Sequence, residues 1–253
     1  MSIPLKKLAD LEKLRVANRY VALTLEYLRD FSKVGMTLKE INQAGEDFIF
    51  NELKARPSFK GLYGFPAGVC TSLNEVIIHG IPTETKVKEG DILGLDIGVE
   101  YEGWYGDAAI SLGMGKVSET NEKLIECAKN TLLNSISEIE VGMRFKELSA
   151  ILEKHIRSYG FVPLKNFCGH GIGQKPHEEP EIPNYVEHGS LKSGPKIKNG
   201  MVFCLEPMIC QENQIPKILD DKWSVVSEDG LFGSHYEHTV AVFDNKVEIL
   251  SVV

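Results

Sequence analysis

Two kinds of apolar segment are missing from this sequence. No run approaches the ~18 apolar residues that a membrane-spanning helix needs. The first residues, MSIPLKKLADLEKLR, carry a charge every few positions and lack the apolar middle of a signal peptide. The sequence therefore predicts a cytoplasmic protein that is not inserted in a membrane.

Basic charge is also scarce. Lys and Arg number 28 against 36 Asp and Glu, which gives a formal net charge of −8. An acidic chain without a block of Lys and Arg lacks the electrostatic footprint of a nucleic-acid-binding protein. We therefore expect no nucleic-acid readout.

The cysteines are few and scattered. There are five, and no two form a C-x-x-C pair. This pattern argues against a disulfide framework or a thiolate zinc site and favours a reducing compartment. For Cys127, Cys168, Cys204 and Cys210, though not for Cys70, we expect small buried hydrophobic side chains.

Two segments recur along the 253 residues. Residues 34–41 (VGMTLKEI) share five identities with 141–148 (VGMRFKEL), and 88–96 (KEGDILGLD) resembles 198–206 (KNGMVFCLE), at offsets of 107 and 110. Nearly equal offsets favour a duplicated unit, with halves of about 1–113 and 114–253 around a pseudo-twofold axis. The alternative is that both segments are common turns into helices and strands.

Hydrophobic periodicity predicts two helices followed by strands in each half. Thr37 is the expected N-cap of the second helix, with Glu40 completing a capping box, and Ser118 caps the third. The predicted helices are 5–30, 37–55, 118–138 and 144–159. The predicted strands are 68–80, 91–100, 104–112, 161–174, 200–212, 221–227 and 235–251. This order predicts an α+β fold whose helices cover one face of a sheet, with a Gly/Pro-rich loop at 189–200.

An acid stands inside the apolar strand ILGLDIGV of the first half. Burying Asp96 costs several kcal/mol unless it is paired or binds a metal. Asp107 follows across a turn at 102–103. A two-residue turn places both carboxylates on one face, roughly 7–8 Å apart backbone to backbone. A three-residue loop would place them on opposite faces.

The second half repeats this arrangement. Glu206 occupies the place of Asp96 in the strand MVFCLEPM, and Glu237 begins the strand EHTVAVF. One buried acid is more often structural than a metal ligand. Four buried acids at matching places repel one another and require cations between them. Oxygen-rich sites suit divalent ions, and two-metal sites hold them about 3.5–4 Å apart.

Three histidines stand in glycine- or proline-rich contexts beside these acids: His79, His170 and His177. One such histidine is more often structural than catalytic, but three beside four strand acids favour a site. His155 and His188 are expected at the surface. His238 lies on the opposite face from Glu237 by strand alternation, so we expect a packing or supporting role for it.

Six segments together resemble the type I methionine aminopeptidases of the bacterial kind. They are 74–82 (NEVIIHGIP), Asp96 with Asp107, 169–173 (GHGIG), 177–180 (HEEP), 206–208 (EPM) and 236–239 (YEHT). The resemblance covers essentially the whole chain. It implies one catalytic domain over 1–253 with the pita-bread fold, an α+β fold of two pseudo-twofold halves with helices covering a curved antiparallel sheet.

The resemblance also implies roles for individual residues. Asp96, Asp107, His170, Glu206 and Glu237 would hold two divalent ions (Co, Mn, Fe, Zn or Ni), with Asp107 and Glu237 bridging. His79 would contact the substrate near the scissile amide, and His177 would bind the carbonyl oxygen. Glu206 would also shuttle the proton. The implied activity is removal of the initiator methionine before a small second residue.

Four residues stand where this family lines its methionine pocket: Tyr63, Phe65, Cys70 and Trp223. Soft and aromatic groups suit a thioether. The family often has Tyr at position 65 and Phe at position 176, where this chain has Phe65 and Pro176. The implied partners are the N-termini of peptides and nascent chains, with transient ribosome association and a monomeric state.

Three other functions fit parts of the pattern. An X-Pro peptidase shares the fold but usually carries an extra N-terminal domain. A binding protein that lost its metals is disfavoured because all five ligand positions are filled. A metal phosphoesterase could use the same carboxylates, but the sequence has neither a phosphate-cradling loop nor a convergent basic cluster.

Overall fold

The computed structural model describes residues 2–186 and 189–252, which leaves His188 and its predicted surface position outside the described residues. The helices are α1 (Leu8–Phe31), α2 (Leu38–Asp47), α3 (Glu119–Ser137) and α4 (Phe145–Ser158). The strands of the first half are β1 (Arg56–Pro57), β2 (Val69–Leu73), β3 (Val76–Ile78), β4 (Ile92–Tyr101) and β5 (Trp104–Gly113). Those of the second half are β6 (Val162–Pro163), β7 (Cys168–Gly171), β8 (Glu178–Pro183), β9 (Met201–Leu205), β10 (Met208–Cys210), β11 (Pro216–Ile218), β12 (Val225–Ser227), β13 (Ser234–His235), β14 (Glu237–Phe243) and β15 (Lys246–Ile249).

One large sheet draws strands from both ends of the chain. Its order is β1-β4-β5-β14-β9-β7-β8, with β2 paired to β4 and β15 paired to β14, and its pairs are antiparallel. Two smaller sheets have the orders β13-β10-β6 and β11-β12-β3. The predicted α+β class with helices packed on an antiparallel sheet is confirmed. Within the described ranges, no helix has the length and apolar character to span a membrane.

The predicted caps of the second and third helices are confirmed, but the first helix begins at Leu8, three residues later than predicted, and the predicted end of the second is wrong. Thr37 and Glu40 form the capping box of α2, and the Ser118 side chain accepts a hydrogen bond from the Asn121 N–H. The helix predicted over 37–55 is α-helical only to Asp47 and continues as a π-helical turn, Phe48–Glu52. It stops before Lys54, whose φ of 54° is left-handed and incompatible with a continued helix.

Several predicted strands are shorter than expected. The strand predicted over 161–174 is two strands, β6 and β7, because Asn166 between them has a φ of 65°. The strand predicted over 200–212 is interrupted by Glu206 and Pro207, and that over 68–80 divides into β2 and β3. The last segment, 235–251, contains β14 and β15 as a hairpin. The sequence also missed β8, because EEPEIP has acids and prolines where a strand pattern would have apolar residues.

The two recurring segments make the same hydrogen bonds. The Gly35 N–H donates to the Val87 carbonyl oxygen at 2.8 Å, and the Gly142 N–H donates to that of Ile197 at 2.9 Å. These donors and acceptors lie at the two offsets found in the sequence. In both halves, the turn that enters a helix is thereby tied to the turn that enters a strand.

The core explains the direction in which the strand acids point. In β4, Leu93, Leu95 and Ile97 pack against apolar residues of α1 and α2. In β9, Met201, Phe203 and Leu205 pack against α3 and α4. Because successive side chains of a strand point to opposite faces, Asp96 and Glu206 are directed away from these helix pairs.

The turn between β4 and β5 has two residues, which is the alternative that places Asp96 and Asp107 on one face of the sheet. Tyr101 pairs with Trp104, and the turn residues Glu102 and Gly103 have φ values of 51° and 79°. Two successive positive φ values are typical of the tight turns that join hairpin strands. The register pairs Asp96 with Ala109, so Asp107 lies on the same face as Asp96.

Candidate metal centre and adjoining cavities

The four strand acids meet at one place, and we call Asp96, Asp107, Glu206 and Glu237 the acid cluster. Carboxylate oxygens of Asp96, Asp107 and Glu237 lie within 4.8 Å of one another. Glu206 joins them from the end of β9, because β9 and β14 pair with His238 opposite Leu205. The strand register therefore brings together residues that lie as far apart in the chain as 96 and 237.

His170 completes this group from β7. Its Nε2 atom lies 3.6 Å from Glu206 Oε1, 3.8 Å from Glu237 Oε1 and 4.0 Å from Asp107 Oδ2. Its Nδ1 atom lies 3.0 Å from the Gly171 carbonyl oxygen. A hydrogen bond from Nδ1–H to that oxygen leaves the Nε2 lone pair directed at the acid cluster, as in a metal-binding histidine.

Burial perturbs every titratable group of the centre. Desolvation raises the pKa of Asp96 to about 7. Desolvation, followed by repulsion from neighbouring carboxylates, also raises the pKa values of Asp107, Glu206 and Glu237. Burial lowers the pKa of His170 to about 3, so the imidazole is neutral at physiological pH. A bound cation would stabilise the ionised form of these carboxylates and would accept the lone pair of the neutral imidazole.

Buried oxygens without a hydrogen-bond partner indicate whether these residues fit a metal ion. Among the described residues, Asp96 Oδ1, Asp107 Oδ1 and Glu237 Oε1 are buried and have no hydrogen-bond partner. Buried polar atoms in proteins are almost always paired, so these three point to a missing partner. Carboxylate oxygens and one imidazole nitrogen form a donor set that suits Mn, Fe, Co or Zn. The residues present therefore fit a divalent metal.

Polar side chains hold the ligands from behind. The Thr239 hydroxyl donates to the Asp107 carbonyl oxygen at 2.8 Å, and the Asn184 amide donates to that of Glu206 at 2.8 Å. His238 lies on the other face of β14, with Nδ1 2.8 Å from Ser251 Oγ, in agreement with its expected packing role. Thr239 and Asn184 were missed, because nothing in the sequence pattern marks them.

The predicted burial of the cysteines is confirmed for three of four, wrong for Cys168, and incomplete for Cys204. Cys127, Cys204 and Cys210 are buried, and Cys168 is partly buried. The Cys204 sulfur, however, lies within 4.8 Å of donor atoms of His170 and Glu237. Cys204 therefore packs directly behind the metal centre.

Two further histidines border the centre. The His177 ring lies 4.4 Å from that of His170, centroid to centroid, and its Nδ1 atom lies 3.5 Å from Tyr63 Oη. Its side chain reaches the surface, yet neighbouring groups enclose the ring enough for desolvation to lower its pKa. The His79 ring packs edge-on to Phe167 at 5.8 Å.

The backbone of His79 is unusual. Its φ of 57° is left-handed, a conformation that costs energy for a residue with a side chain. Burial, followed by repulsion from His177, lowers the pKa of His79 to about 4. Both histidines are therefore neutral at pH 7, and each ring carries one N–H that can donate a hydrogen bond.

An inner cavity of about 210 Å³ joins the metal centre to an apolar wall. The wall consists of Phe59, Leu62, Phe65, Cys70 and Trp223. Phe65 and Trp223 meet edge to face at 5.2 Å, and Cys70 pairs with Asp96 in the sheet. Burial raises the pKa of the Cys70 thiol, which therefore stays uncharged. The sequence missed Phe59 and Leu62, which stand in or beside an irregular turn without a periodic pattern.

An outer cavity of about 610 Å³ adjoins the same residues. It shares His79, His170, His177 and Glu206 with the inner cavity. Its own wall includes Phe167 and Met208 and the N-terminal residues Ser2 and Pro4. The three residues expected to be catalytic, His79, His177 and Glu206, therefore stand where the two cavities meet.

Comparison with known proteins places the chain among metallopeptidases. The profile of metallopeptidase family M24 matches residues 12–244. The methionine aminopeptidase of Helicobacter pylori strain J99 is 58% identical over 252 residues, which cover 99% of each chain. The crystal structure of methionine aminopeptidase from Thermotoga maritima superposes with a TM-score of 0.95 at 33% identity and covers 100% of both chains.

A more distant structure shares the fold alone. The prolidase from Pyrococcus furiosus matches with a TM-score of 0.79 at 20% identity, covering 98% of this chain and 65% of its own. Together these structures identify the fold as the pita-bread fold that the sequence motifs implied.

Proposed function

The chain belongs to metallopeptidase family M24, and from that premise we propose that it removes the N-terminal methionine from peptides and nascent proteins, with a preference for a small second residue. The observation that carries this proposal is the inner cavity of about 210 Å³, which joins an apolar wall with a thiol to the acid cluster. A thioether side chain fits such a wall. The peptide bond that follows it would then lie beside the metal centre.

We propose that the centre holds two divalent ions. The donor atoms form two groups that share Glu237, one with Asp96 and Asp107 and the other with His170 and the Cys204 sulfur. We assign Asp96, Asp107, His170, Glu206 and Glu237 as the ligands, with Asp107 and Glu237 shared between the ions. When bound, divalent ions supply Lewis-acid activation of water and of the peptide carbonyl group.

Proton transfer is assigned to Glu206. Its carboxylate lies at the end of β9, borders both cavities and is close to His170. From this position Glu206 takes the proton of the attacking water and delivers it to the leaving amine. General acid–base catalysis of this kind contributes about 10²–10⁴-fold to a rate.

His177 and His79 are assigned to contacts with the substrate. His177 donates a hydrogen bond from its neutral ring to the carbonyl oxygen, where negative charge develops during attack. His79 contacts the peptide near the scissile amide. Tyr63, Phe65, Cys70 and Trp223 contact the methionine side chain, together with Phe59 and Leu62 of the same wall.

A peptide panel tests the proposal. The protein is stripped of metal, reloaded with Mn, Fe, Co, Zn or Ni, and supplied with Met-Gly, Met-Ala, Met-Leu and X-Pro peptides. We expect no release without metal, and release of Met from the Met-Gly and Met-Ala peptides after reloading. Cleavage of X-Pro peptides in place of Met-Gly would instead support a prolidase, and hydrolysis without metal would contradict the assignment.

Further parts of the proposal concern the organisation and setting of the chain. We propose one catalytic domain over 1–253, built from halves of about 1–113 and 114–253, which the recurring hydrogen bonds support. We also propose a monomer that acts in the cytoplasm and meets nascent chains through transient ribosome association. Sedimentation of the purified protein and its co-pelleting with ribosomes test these two statements.

A further inference from the structure

The first residues of the chain lie against the site although no assigned role involves them. Ser2 and Pro4 line the outer cavity together with His177. The Lys6 N–H donates to the Gly200 carbonyl oxygen at 2.6 Å, which anchors this segment beside the start of β9. The backbone of Lys6 is therefore anchored independently of the contacts that its side chain makes.

The Lys6 side chain forms an enclosed ion pair. Its Nζ atom contacts Glu178 Oε2, and the two side chains are only 7% and 10% exposed. The other oxygen, Glu178 Oε1, accepts hydrogen bonds from the N–H groups of Gln174 at 3.1 Å and Lys175 at 3.3 Å. One carboxylate therefore joins Lys6 to both ends of the segment 173–178, which we call the His177 loop.

The backbone of the His177 loop also packs directly on Lys6. A Cβ atom at Gly173 would meet Cε and Nζ of Lys6, so the end of the Lys6 side chain could not keep this position beside a larger residue. The Gly173 carbonyl oxygen accepts a hydrogen bond from the Tyr105 N–H at 2.9 Å, which ties the loop to β5. The loop is thus held at its first residue and at its last by contacts that include Lys6.

His177 itself has few contacts of its own. In the parts of the chain that the structure describes, its ring makes one side-chain hydrogen-bond contact, with Tyr63 Oη at 3.5 Å, stacks on the Tyr63 ring at 5.8 Å and packs against the His170 ring. Tyr63 and His170 are themselves residues of the site, and Tyr63, which is 74% exposed, gives the His177 ring little support. The position of the His177 ring therefore depends on the backbone that carries it, and that backbone is held by Glu178.

We propose that Lys6 is a positioning residue, which acts through Glu178 to fix the His177 loop and so to place the His177 ring over the metal centre. The inference rests on the proposed function, because it concerns the oxyanion contact assigned to His177. Removal of the Lys6 charge leaves Glu178 enclosed without its cationic partner, and we expect such a carboxylate to turn toward water. The Gln174 and Lys175 amides then lose their acceptor, and the loop moves.

The test compares Lys6→Met with Lys7→Met. Methionine keeps most of the length of lysine and removes the charge, while Lys7 is an exposed neighbour without an ion pair in the described structure. We expect Lys6→Met to lower kcat for a Met-Gly peptide by about ten- to one hundred-fold, since small misplacements of a catalytic group have effects of this size. KM should change little, and Lys7→Met should resemble the wild type.

The background of His177→Ala separates positioning from general destabilisation. If Lys6 acts through His177, adding Lys6→Met to His177→Ala lowers kcat no further. A loss that multiplies across the two substitutions, or a Lys6→Met effect confined to KM, overturns the proposal. Glu178→Gln provides a second variant that keeps an acceptor oxygen for the two amides and loses the charge, and it must show the same dependence on His177.

Hydrogen exchange provides a readout that does not require activity. We expect the Gln174 and Lys175 amides to exchange faster in Lys6→Met than in Lys7→Met, with unchanged exchange in β4 and β14. Equal protection in both variants overturns the proposal even if turnover falls. If the wild type releases no methionine from any peptide, the proposed function fails, while exchange still shows whether Lys6 holds the loop.

Discussion

The acid cluster and the rim of the site, which consists of Tyr63, His177 and Trp223, are held in different ways. The acids stand on or directly after paired strands and are 3–8% exposed, except for Glu206 at 14% of its side chain. The rim residues stand outside the strands, and Tyr63 is 74% exposed. The sheet can therefore hold four acidic side chains together, whereas the rim depends on individual contacts such as that of Glu178 with the His177 loop.

The acid cluster and the rim therefore affect the stability of the folded protein differently. Strands fix the donors for a metal before it arrives, and the folded protein bears the desolvation of the carboxylates until it does. The rim adds little to stability because much of it is exposed, but in the proposed function it determines where the substrate carbonyl group lies. Substitutions in the cluster should therefore change chemistry and metal binding, while substitutions at the rim should change individual kinetic constants.

The largest effect is expected for Glu206→Gln in the acid cluster. The amide cannot take a proton from water, so kcat for a Met-Gly peptide should fall by about 10²–10⁴-fold. The circular dichroism spectrum should not change. The matched control is Glu212→Gln, an exposed acid outside the site. Near-wild-type turnover by Glu206→Gln would refute the role assigned to Glu206.

The next effect is expected at the rim, for His177→Ala. Loss of one donor to a developing oxyanion costs about 10²–10³-fold in kcat, with a smaller change in KM. Steady-state kinetics over a range of substrate concentrations separates the two constants. His155→Ala, a histidine that pairs with Glu138 away from the site, is the control. A change in KM with unaltered kcat would mean that His177 only binds the substrate.

Metal removal should make the stability of the protein fall as pH rises above about 7.5. In that range unfolded carboxylates are already ionised, while the folded acid cluster still holds protons, because the pKa values of Asp107, Glu206 and Glu237 are raised well above the ordinary value. Histidines of the unfolded chain, with a pKa of about 6.5, oppose this slope near pH 6.5, but above about 7.5 they are neutral in both states and add little.

The native state therefore binds more protons than the unfolded state, and the free energy of unfolding decreases with pH by up to about 1.4 kcal/mol per unit for each proton. Thermal melts from about pH 7.5 to 9, with and without a chelator, measure this slope. The metal-loaded protein, whose ligands are ionised throughout, should lack it. A metal-free protein whose melting temperature rises over this range would show that the acids are not protonated as described.

The smallest effect is expected in the inner cavity, for Cys70→Ser. Contacts of a sulfur with aromatic groups contribute about 0.3–1.5 kcal/mol, which corresponds to about two- to tenfold in KM for a methionine substrate. Cys127→Ser, a buried cysteine in the core around α3, is the control. Equal KM values for Cys70→Ser and the wild type would exclude Cys70 from contact with the side chain.

The contrast between the acid cluster on regular strands and the irregular segments around it also explains what could be predicted from the sequence. Asp96 and Asp107 were predicted on one face because strands have a period of two and the turn could have two residues. Glu206 and Glu237 followed from the repeat. Nothing comparable marks Phe59, Leu62 or the pairing of Lys6 with Glu178, since these contacts join irregular segments that have no period.

The central claim is that the buried acids exist to bind divalent metal, and calorimetric titration of the metal-free protein with Mn²⁺ tests it most directly. We predict uptake approaching two ions per chain with release of protons, and loss of uptake in the double variant Asp107→Asn/Glu237→Gln, whose circular dichroism matches the wild type. A wild-type protein that takes up no ion, or a double variant that binds Mn²⁺ as the wild type does, would contradict the account.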